Sequence, residues 1–264
     1  MKYENILFEE IDSIGVITLN RPKAFNTFNG LLVYELYDAI RICAGIREIR
    51  AVVITGAGKS FCAGGDVKEF GDNIDIIGAH LEKLTGAIHS AILLLQEMPK
   101  PVIMAVNGMA AGGGMSLALA GDLVYAHENA KFTMAYTKIG ATPDGSSSYM
   151  LPRLVGLRRA FELVFENPVL SAEQAKQWGL ITDVIAGSET HFREEIMRRA
   201  SVLASGPTEA YARAKQLLYR SYSETLEFQM WEETREIVAC SGTNDFKEGL
   251  AAFAEKRSPV FIGS

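Results

Sequence analysis

Apolar and polar residues follow two alternating periods along the chain, and these periods predict strands and helices in turn. Residues 5–20 contain two β-type runs joined by a turn. Apolar positions recur every three or four residues across 31–46, which predicts an amphipathic helix. Residues 51–56 and 102–106 are apolar, β-branched runs followed by glycine-containing loops, as expected for buried parallel strands.

The same alternation continues to about residue 187, and the chain is then mostly helical. Its further predicted elements are a helix at 79–97, a glycine-led helix within 110–121, a strand within 122–129, helical residues near 146–166, a helix within 171–180 and a short strand within 181–187. Ser171 is the expected cap of the 171–180 helix, which should stop near Gly179. Strands that alternate with helices predict an α/β fold with parallel pairing. A change in pattern near 205–207 divides the chain into a core, 1–204, and a helical C-terminal region, 205–264.

Composition narrows the functional classes. The 264 residues are 48% hydrophobic and 22% charged, which is typical of a globular protein, and the net charge of −6 argues against a general nucleic-acid binder. Three scattered cysteines and no visible secretory signal favour the cytoplasm. Residues 101–120 are uncharged and long enough to span a bilayer, but Pro101, Asn107 and several glycines favour strand, loop and helix instead. We therefore expect no membrane association.

Two glycine-rich loops follow predicted strands, "SFCAGGDVKEF" at 60–70 and "NGMAAGGGMSLA" at 107–118. Such strand-to-helix loops leave backbone N–H groups unpaired, and small residues let a ligand approach them. Either loop alone is explained equally well by tight packing. Neither has the spacing of a nucleotide phosphate loop.

A single carboxylate, Asp144, lies in the otherwise uncharged stretch 139–152. Pro143 and Gly145 are turn residues, so a turn or a helix cap is the ordinary explanation for Asp144. Together with the two glycine loops, however, it could be the base that forms an enolate whose oxygen the loops stabilise.

Several segments resemble the crotonase (enoyl-CoA hydratase/isomerase) superfamily and occur in the family's order. They are "VITLNRPKAFNTF" (16–28), "VVITGAGKSFCAGGDVKEF" (52–70), "PKPVIMAVNGMAAGGGMSLALAGDLVYAHENAKF" (99–132), "LPRLVGLRRAFELV" (151–164), "LSAEQAKQWGLITDVI" (170–185) and "FAEKRSPVF" (253–261). The resemblance implies a crotonase-like spiral of ββα units, a helical C-terminal region and a homotrimer or dimer of trimers. It also implies an acyl-CoA thioester as substrate, with no separate cofactor.

The resemblance further assigns site residues. It places the thioester oxygen between the backbone N–H groups of Gly65 and Gly113. Its CoA-binding positions are Lys23, Ala24, Ala63, Gly64, Asp66, Val67, Phe253 and Lys256. For Lys23 and Lys256 an ordinary solvated surface position is equally compatible, and Asp66 can orient its loop through backbone hydrogen bonds.

The acidic positions distinguish reactions within the family. Hydratases that resemble this chain carry two glutamates, where this chain has Ser116 and Tyr136. Asp144 falls where related isomerases carry their single acid, and the run 131–156 resembles phenylacetate-pathway isomerases most closely. One carboxylate suits a 1,3-proton shift, because no water is consumed. We therefore expect an enoyl-CoA isomerase, with hydration as an alternative.

His89 raises a second alternative. It matches the histidine that activates water in 4-chlorobenzoyl-CoA dehalogenases, whose nucleophilic aspartate matches Asp144. Tyr136 and Gly65 differ from the tryptophan and phenylalanine of that group. We expect His89, Tyr136 and Ser116 to line the acyl pocket. A non-catalytic, RNA-binding relative is the third alternative, which the acidic net charge opposes.

Cys62 and the other histidines supply no further chemistry in this interpretation. No histidine or basic residue is visibly placed to activate Cys62, so burial is the expected role. His80, His127 and His191 lack metal-ligand spacing, and no metal site is expected.

Overall fold

A computed structural model describes residues 3–264. Its strands are β1 (Ile6–Ile11), β2 (Ile14–Leu19), β3 (Ala51–Gly56), β4 (Ser60–Cys62), β5 (Val102–Val106), β6 (Met109–Ala111), β7 (Leu123–His127), β8 (Lys131–Thr133), β9 (Leu170–Ser171) and β10 (Asp183–Ile185). Its α-helices are α1 (Gly30–Gly45), α2 (Val67–Asp72), α3 (Ile77–Glu97), α4 (Gly113–Ala118), α5 (Ser147–Phe165), α6 (Ala172–Trp178), α7 (Glu189–Ala204), α8 (Thr208–Arg220), α9 (Leu226–Ser241) and α10 (Asn244–Glu255).

The strands form two sheets. The first sheet has the order β1-β2-β3-β5-β7-β10, and the second has the order β4-β6-β8-β9. The chain starts with the antiparallel hairpin β1-β2 in the first sheet. The units that begin with β3, β5 and β7 each give their first strand to the first sheet and their second strand to the other, and these units pair in parallel within both sheets. The chain therefore advances as a spiral, and the ends of β4 and β6 lie side by side.

Both faces of the inner strands β2, β3, β5 and β7 are buried, as the uninterrupted apolar runs predict. Alternate residues of β3 enter different cores: Val52 and Ile54 pack in the large core with α1 and α3. Val53 packs in a smaller core with Ile103 and Phe192 of α7. This period of two is the geometry of a pleated strand, and it anchors the strand ends that carry the two glycine loops.

The helix ends agree with the sequence signals at α6. Ser171 and Gln174 form a reciprocal capping box, and Gly179 ends the helix at φ +81°. The longer α5 begins at Ser147 and contains a break at Gly156. The division at residue 204 coincides with the end of α7, but an independent C-terminal domain stays a prediction.

The second sheet and α2 correct the sequence interpretation. Residues 59–70 were expected to be loop, whereas they contain β4 and most of α2. Strands β4, β6, β8 and β9 have at most three residues. A run this short cannot display a period of two, so only pairing with its neighbours reveals it.

Residues 101–120 form β5, β6 and α4. The expected strand and helix are present, whereas the expected loop between them contains the short strand β6. Across residues 3–264, no helix combines the length and apolarity that crossing a bilayer would demand.

Candidate active site

Among the described residues, two backbone N–H groups stay unpaired just beyond the ends of β4 and β6. Gly65 and Gly113 are both half-buried, while Gly64 and Gly112 next to them are buried. Within residues 3–264, neither the Gly65 nor the Gly113 N–H donates a hydrogen bond. The first loop is held by Phe28, whose N–H donates to the Gly64 carbonyl at 2.7 Å and whose carbonyl accepts from Asp66 at 3.0 Å. The structure thus places two unpaired donors on fixed loops.

The two loops approach each other too closely for a side chain at Gly64. Its φ is +96°, and a β-carbon there would lie 2.9 Å from the Ala111 carbonyl oxygen and 3.4 Å from the Gly113 nitrogen. Only glycine fits both the conformation and the space. This close approach explains why the sequence has glycine in both loops.

Asp144 lies in the turn before α5, and its carboxylate does not cap that helix. Ser147 donates to the Asp144 main-chain carbonyl from its N–H at 3.1 Å and its hydroxyl at 2.7 Å. The next residues, Gly145 and Ser146, have φ of +56° and +67°. The turn therefore uses the backbone of Asp144 for its own hydrogen bonds and leaves the carboxylate for other partners.

The Asp144 carboxylate bonds to a hydroxyl instead. Tyr136 donates to Asp144 Oδ1 at 2.5 Å, and the Ser116 hydroxyl lies 2.9 Å from the Tyr136 hydroxyl. Burial raises the pKa of Tyr136, and the charge of Asp144 raises it further. Ser116 is fully buried on α4. Tyr136, in the 3-10 turn Tyr136–Ile139, is thus held between α4 and the turn before α5.

His89 contacts the same turn from α3. Its Nε2 accepts a hydrogen bond from the Gly145 N–H at 3.2 Å. An accepting Nε2 places the proton of the neutral ring on Nδ1. His89 is exposed, and in this arrangement its Nε2 lone pair is occupied by the backbone.

The acid and the second glycine loop belong to one site. A β-carbon on Gly113 would lie 3.7 Å from the Tyr136 hydroxyl oxygen and 3.1 Å from the Phe28 ring, while one on Gly65 would meet the Phe70 ring. The structure therefore brings the predicted residues Gly65, Gly113, Ser116, His89, Tyr136 and Asp144 into one cluster walled by aromatic rings.

The predicted CoA-binding residues divide into two groups. Lys23 and Ala24 lie in a 3-10 turn that bonds to the first loop, where Ala63 N–H donates to the Phe25 carbonyl at 3.1 Å. Asp66 caps α2 and pairs with Arg21 at 2.8 Å. Burial opposes ionisation of Asp66, but hydrogen bonds from Arg21 and the α2 backbone hold its pKa below the usual value.

Phe253 and Lys256 form the other group, at the end of α10. Phe253 is 86% exposed, and no hydrogen bond or ion pair within residues 3–264 joins either side chain to the glycine loops. The other predicted CoA-binding residues on the first loop or beside it are Ala63, Gly64 and Val67. Six of the eight predicted positions therefore belong to this loop and the neighbouring 3-10 turn, whereas Phe253 and Lys256 lie elsewhere on the surface.

Cys62 lies directly before the first glycine loop but is not a nucleophile candidate. It is fully buried, and burial raises the pKa of its thiol to about 12. The expected structural role of Cys62 agrees with this environment.

A separate cavity of about 710 Å³ lies between α5, α8 and the start of β7. Its charged groups are paired with each other, since Lys215 Nζ lies 2.8 Å from Asp122 Oδ2, and Lys215 also donates to the Leu95 carbonyl at 2.6 Å. No predicted site residue lines it. We therefore assign the candidate active site to the glycine loops and Asp144.

Sequence reasoning missed the partners of the site residues. Arg21 and the rings of Phe28 and Phe70 were not predicted, although all three lie in the segments that carried the family resemblance. The bond between Tyr136 and Asp144 was missed too, because no periodic signal connects residues in an irregular loop. The resemblance implied a family acid at each of the two positions, and that is the signal that could have paired them.

Residues 9–264 match the family model described as enoyl-CoA hydratase/isomerase. A 1,2-epoxyphenylacetyl-CoA isomerase from Escherichia coli is 37% identical over 98% of this chain and 99% of its own. A 4-chlorobenzoyl coenzyme A dehalogenase from Arthrobacter sp is 35% identical over 96% of this chain and 91% of its own. The solved structure of an enoyl-CoA hydratase from Polaromonas sp. JS666 superposes with a TM-score of 0.92 at 33% identity, covering 97% of this chain and 99% of the other.

Proposed function

The chain belongs to the enoyl-CoA hydratase/isomerase family, and on this basis we propose that it is an enoyl-CoA isomerase. The predicted crotonase-type α/β fold is confirmed. The observation that carries the proposal is that one carboxylate, Asp144, accepts from the Tyr136 hydroxyl, which in turn bonds to the Ser116 hydroxyl.

In the proposed reaction, the thioester oxygen of the substrate lies between the N–H groups of Gly65 and Gly113. Asp144 removes a proton from the carbon next to the thioester carbonyl, and the electrons move onto the oxygen as a dienolate. The two N–H groups stabilise that charge. The protonated Asp144 then returns the proton to the carbon two positions further along the acyl chain. The double bond has then moved, and Asp144 is again a charged carboxylate that can act as a base.

The surroundings of Asp144 favour isomerisation over hydration. Adding water to an enoyl-CoA requires a group that accepts a proton from the water while another handles the α-carbon. The Tyr136 hydroxyl already donates to Asp144 Oδ1, and burial keeps it protonated. Ser116 is buried and bonded to Tyr136. Neither hydroxyl is placed to act as a second base.

The position of His89 argues against the hydrolase alternative. A histidine that activates water needs a free ring nitrogen lone pair. In His89 that lone pair on Nε2 accepts from Gly145, and Nδ1 carries the proton. We propose that His89 supports the turn and borders the acyl pocket.

The CoA part of the substrate is proposed to lie along Lys23, Ala24 and the first glycine loop. Phe253 and Lys256 lie at the end of α10, so they would contact the CoA only where the C-terminal helices bring them to it. We propose a homotrimer or dimer of trimers, because exposed apolar side chains are concentrated on those helices and on α5. They are Leu157, Phe161, Phe165, Leu226, Trp231, Ile237, Val238, Leu250 and Phe253. The three free cysteines favour a cytoplasmic location.

The proposal is tested with Asp144→Asn and a panel of acyl-CoA esters that includes 3-hexenoyl-CoA and crotonyl-CoA. We expect the parental protein to move the double bond of 3-hexenoyl-CoA. Asp144→Asn should lower kcat at least about a thousandfold, because the asparagine amide cannot accept the proton. Binding of the ester, measured by calorimetry, should be nearly unchanged.

Asp183→Asn is the matched control, since Asp183 pairs with Lys176 on the surface and should leave the rate unchanged. Parental isomerisation by Asp144→Asn would reject the proposal. Water addition to crotonyl-CoA as the faster reaction would support the hydratase alternative. Oxygen-18 from the solvent in a free acid product, or an ester trapped on Asp144, would support the hydrolase alternative.

A further inference from the structure

The hydrogen bonds from Ser116 through Tyr136 to Asp144 end on one oxygen of the carboxylate. From these hydrogen bonds we infer that Tyr136 is a positioning residue. It holds Asp144 so that Oδ2 is the oxygen that takes and returns the substrate proton. The inference rests on the proposed function, in which Asp144 is the base.

The two carboxylate oxygens of Asp144 have different surroundings. Oδ1 accepts from Tyr136 at 2.5 Å. Within residues 3–264, Oδ2 accepts no hydrogen bond, and Asp144 itself is half-buried. A carboxylate held through one oxygen loses its freedom to rotate, so the hydroxyl determines where the other oxygen lies.

Tyr136 is suited to remain a donor throughout the pH range of an enzyme. Burial and then the charge of Asp144 raise the pKa of its hydroxyl. The phenol therefore stays protonated and cannot compete with Asp144 as a base. A neutral donor that stabilises the charged carboxylate is a charge-assisted hydrogen bond, which is shorter and stronger than a neutral one.

Ser116 fixes the position of the tyrosine oxygen. It is fully buried, and its hydroxyl lies 2.9 Å from the Tyr136 hydroxyl and 3.3 Å from the Gly112 carbonyl. Because the Tyr136 proton is directed to Asp144, the Ser116 proton is donated to the tyrosine oxygen or to the carbonyl. Ser116 therefore connects the second glycine loop to the base.

The backbone before Tyr136 is held in an unfavourable conformation. Ala135 has φ +53°, a left-handed conformation that is unfavourable for an alanine. The Tyr136 N–H donates to the Met134 carbonyl at 2.6 Å in the same tight turn. Such strain persists where surrounding contacts determine it and is concentrated at functional sites. Here it aims Tyr136 at Asp144.

The split between kcat and KM separates positioning of the base from a loss of packing. Tyr136 contacts Asp144 directly, and His89 reaches the same turn through the Gly145 N–H. Neutral Ser116 and Ser147 complete the surroundings on α4 and α5. A misplaced base should slow the chemical step and leave binding of the ester nearly unchanged.

The experiment measures kcat, KM and Tm for Tyr136→Phe with 3-hexenoyl-CoA. We expect kcat to fall about 10- to 100-fold, the size expected from one hydrogen bond to a charged group. KM should change by less than about threefold, because the CoA contacts remain. Ser116→Ala should show the same changes at smaller size, about threefold to tenfold in kcat.

Tyr3→Phe is the matched control, because the Tyr3 hydroxyl also donates to an aspartate, Asp38 Oδ2, at 2.8 Å, between the N-terminal segment and α1. It should keep parental kinetics. A Tyr136→Phe variant with parental kcat would overturn the inference. So would a lowered kcat accompanied by a raised KM and a lower Tm, since that combination marks a structural role. If Asp144→Asn is inactive while Tyr136→Phe is normal, only this inference fails, whereas an active Asp144→Asn rejects the proposed function itself.

Discussion

The turn after Asp144 depends on two successive residues in the left-handed region, Gly145 and Ser146. Gly145 is also confined by its neighbours, since a β-carbon there would lie 2.8 Å from the Ser116 β-carbon and 3.5 Å from Ile92 Cδ1. Position 145 therefore requires glycine for two reasons, the left-handed backbone conformation and the lack of space for a β-carbon. The same residue donates its N–H to His89. At the residue scale, the placement of the acid is controlled by its neighbour.

We predict that Gly145→Ala lowers both stability and activity. The left-handed conformation should cost about 1–2 kcal/mol of unfolding free energy, and the clash with Ser116 should shift the turn. A displaced base should lower kcat at least about tenfold. Steady-state kinetics and thermal unfolding measure the two effects.

Gly140→Ala is the control for that variant. Gly140 has φ +73°, but no atom lies within 4 Å of the β-carbon position. It should show a similar loss of stability with kcat within about twofold of the parent. Equal kcat values for the two variants would contradict the steric argument at Gly145.

Helix α2 illustrates how an element too short for a periodic signal is determined. It has six residues, and none of them is buried. Its start depends on Asp66, which accepts from Lys68 and Glu69 N–H and pairs with Arg21. Capping and one ion pair therefore define α2, where longer helices depend on apolar burial.

Asp66→Asn should isolate the ion pair, because asparagine also caps helices. We expect the unfolding free energy at neutral pH to fall by about 1–2 kcal/mol, as the charge-assisted bond to Arg21 is lost. The pKa of Asp66 is lowered in the folded chain. Its stabilisation is therefore complete above about pH 4, where aspartate in the unfolded chain is ionised, and is lost as pH falls through the lowered pKa.

Denaturant unfolding of the parent and Asp66→Asn between neutral and acidic pH should give curves that converge toward low pH. Asp72→Asn provides the comparison on the same helix, because Asp72 is exposed and makes no side-chain hydrogen bond within residues 3–264. A constant difference between parent and Asp66→Asn down to the most acidic pH would exclude the ion pair as its cause.

Helices α5 and α9 carry exposed apolar side chains on the surface of the molecule. Trp231, Ile237 and Val238 on α9 are each between 57% and 64% exposed, and Phe161 and Phe165 on α5 stack at 5.2 Å between ring centroids. Apolar side chains clustered in this way are typical of protein interfaces. The proposed trimer would cover them and would bring Phe253 and Lys256 against another copy.

We predict that the parental chain sediments as a trimer or hexamer. A double variant, Ile237→Glu with Val238→Glu, should give smaller species at the same concentration, since charges at an interface core oppose association. Circular dichroism should remain helical. Leu7→Glu with Ile11→Glu is the control, because both residues are exposed on the edge strand β1. A monomeric parent would contradict the oligomer.

The sequence by itself determined the longer elements, the parallel α/β class and the family. Apolar runs at β3 and β5, the helical period of α1 and α3, and the signals at Ser171 and Gly179 are local, so they are visible without the fold. The motifs also indicated Gly65, Gly113 and Asp144, whose proposed roles stay predictions.

Tertiary structure alone decided how these residues are related. The three-residue strands exist because neighbouring units pair, and the two glycine loops meet because β4 and β6 are adjacent in one sheet. The bonds of Asp144 to Tyr136 and of His89 to Gly145 join residues 8 and 56 positions apart through irregular turns. No local pattern encodes such contacts, because they depend on where the packed core places each loop.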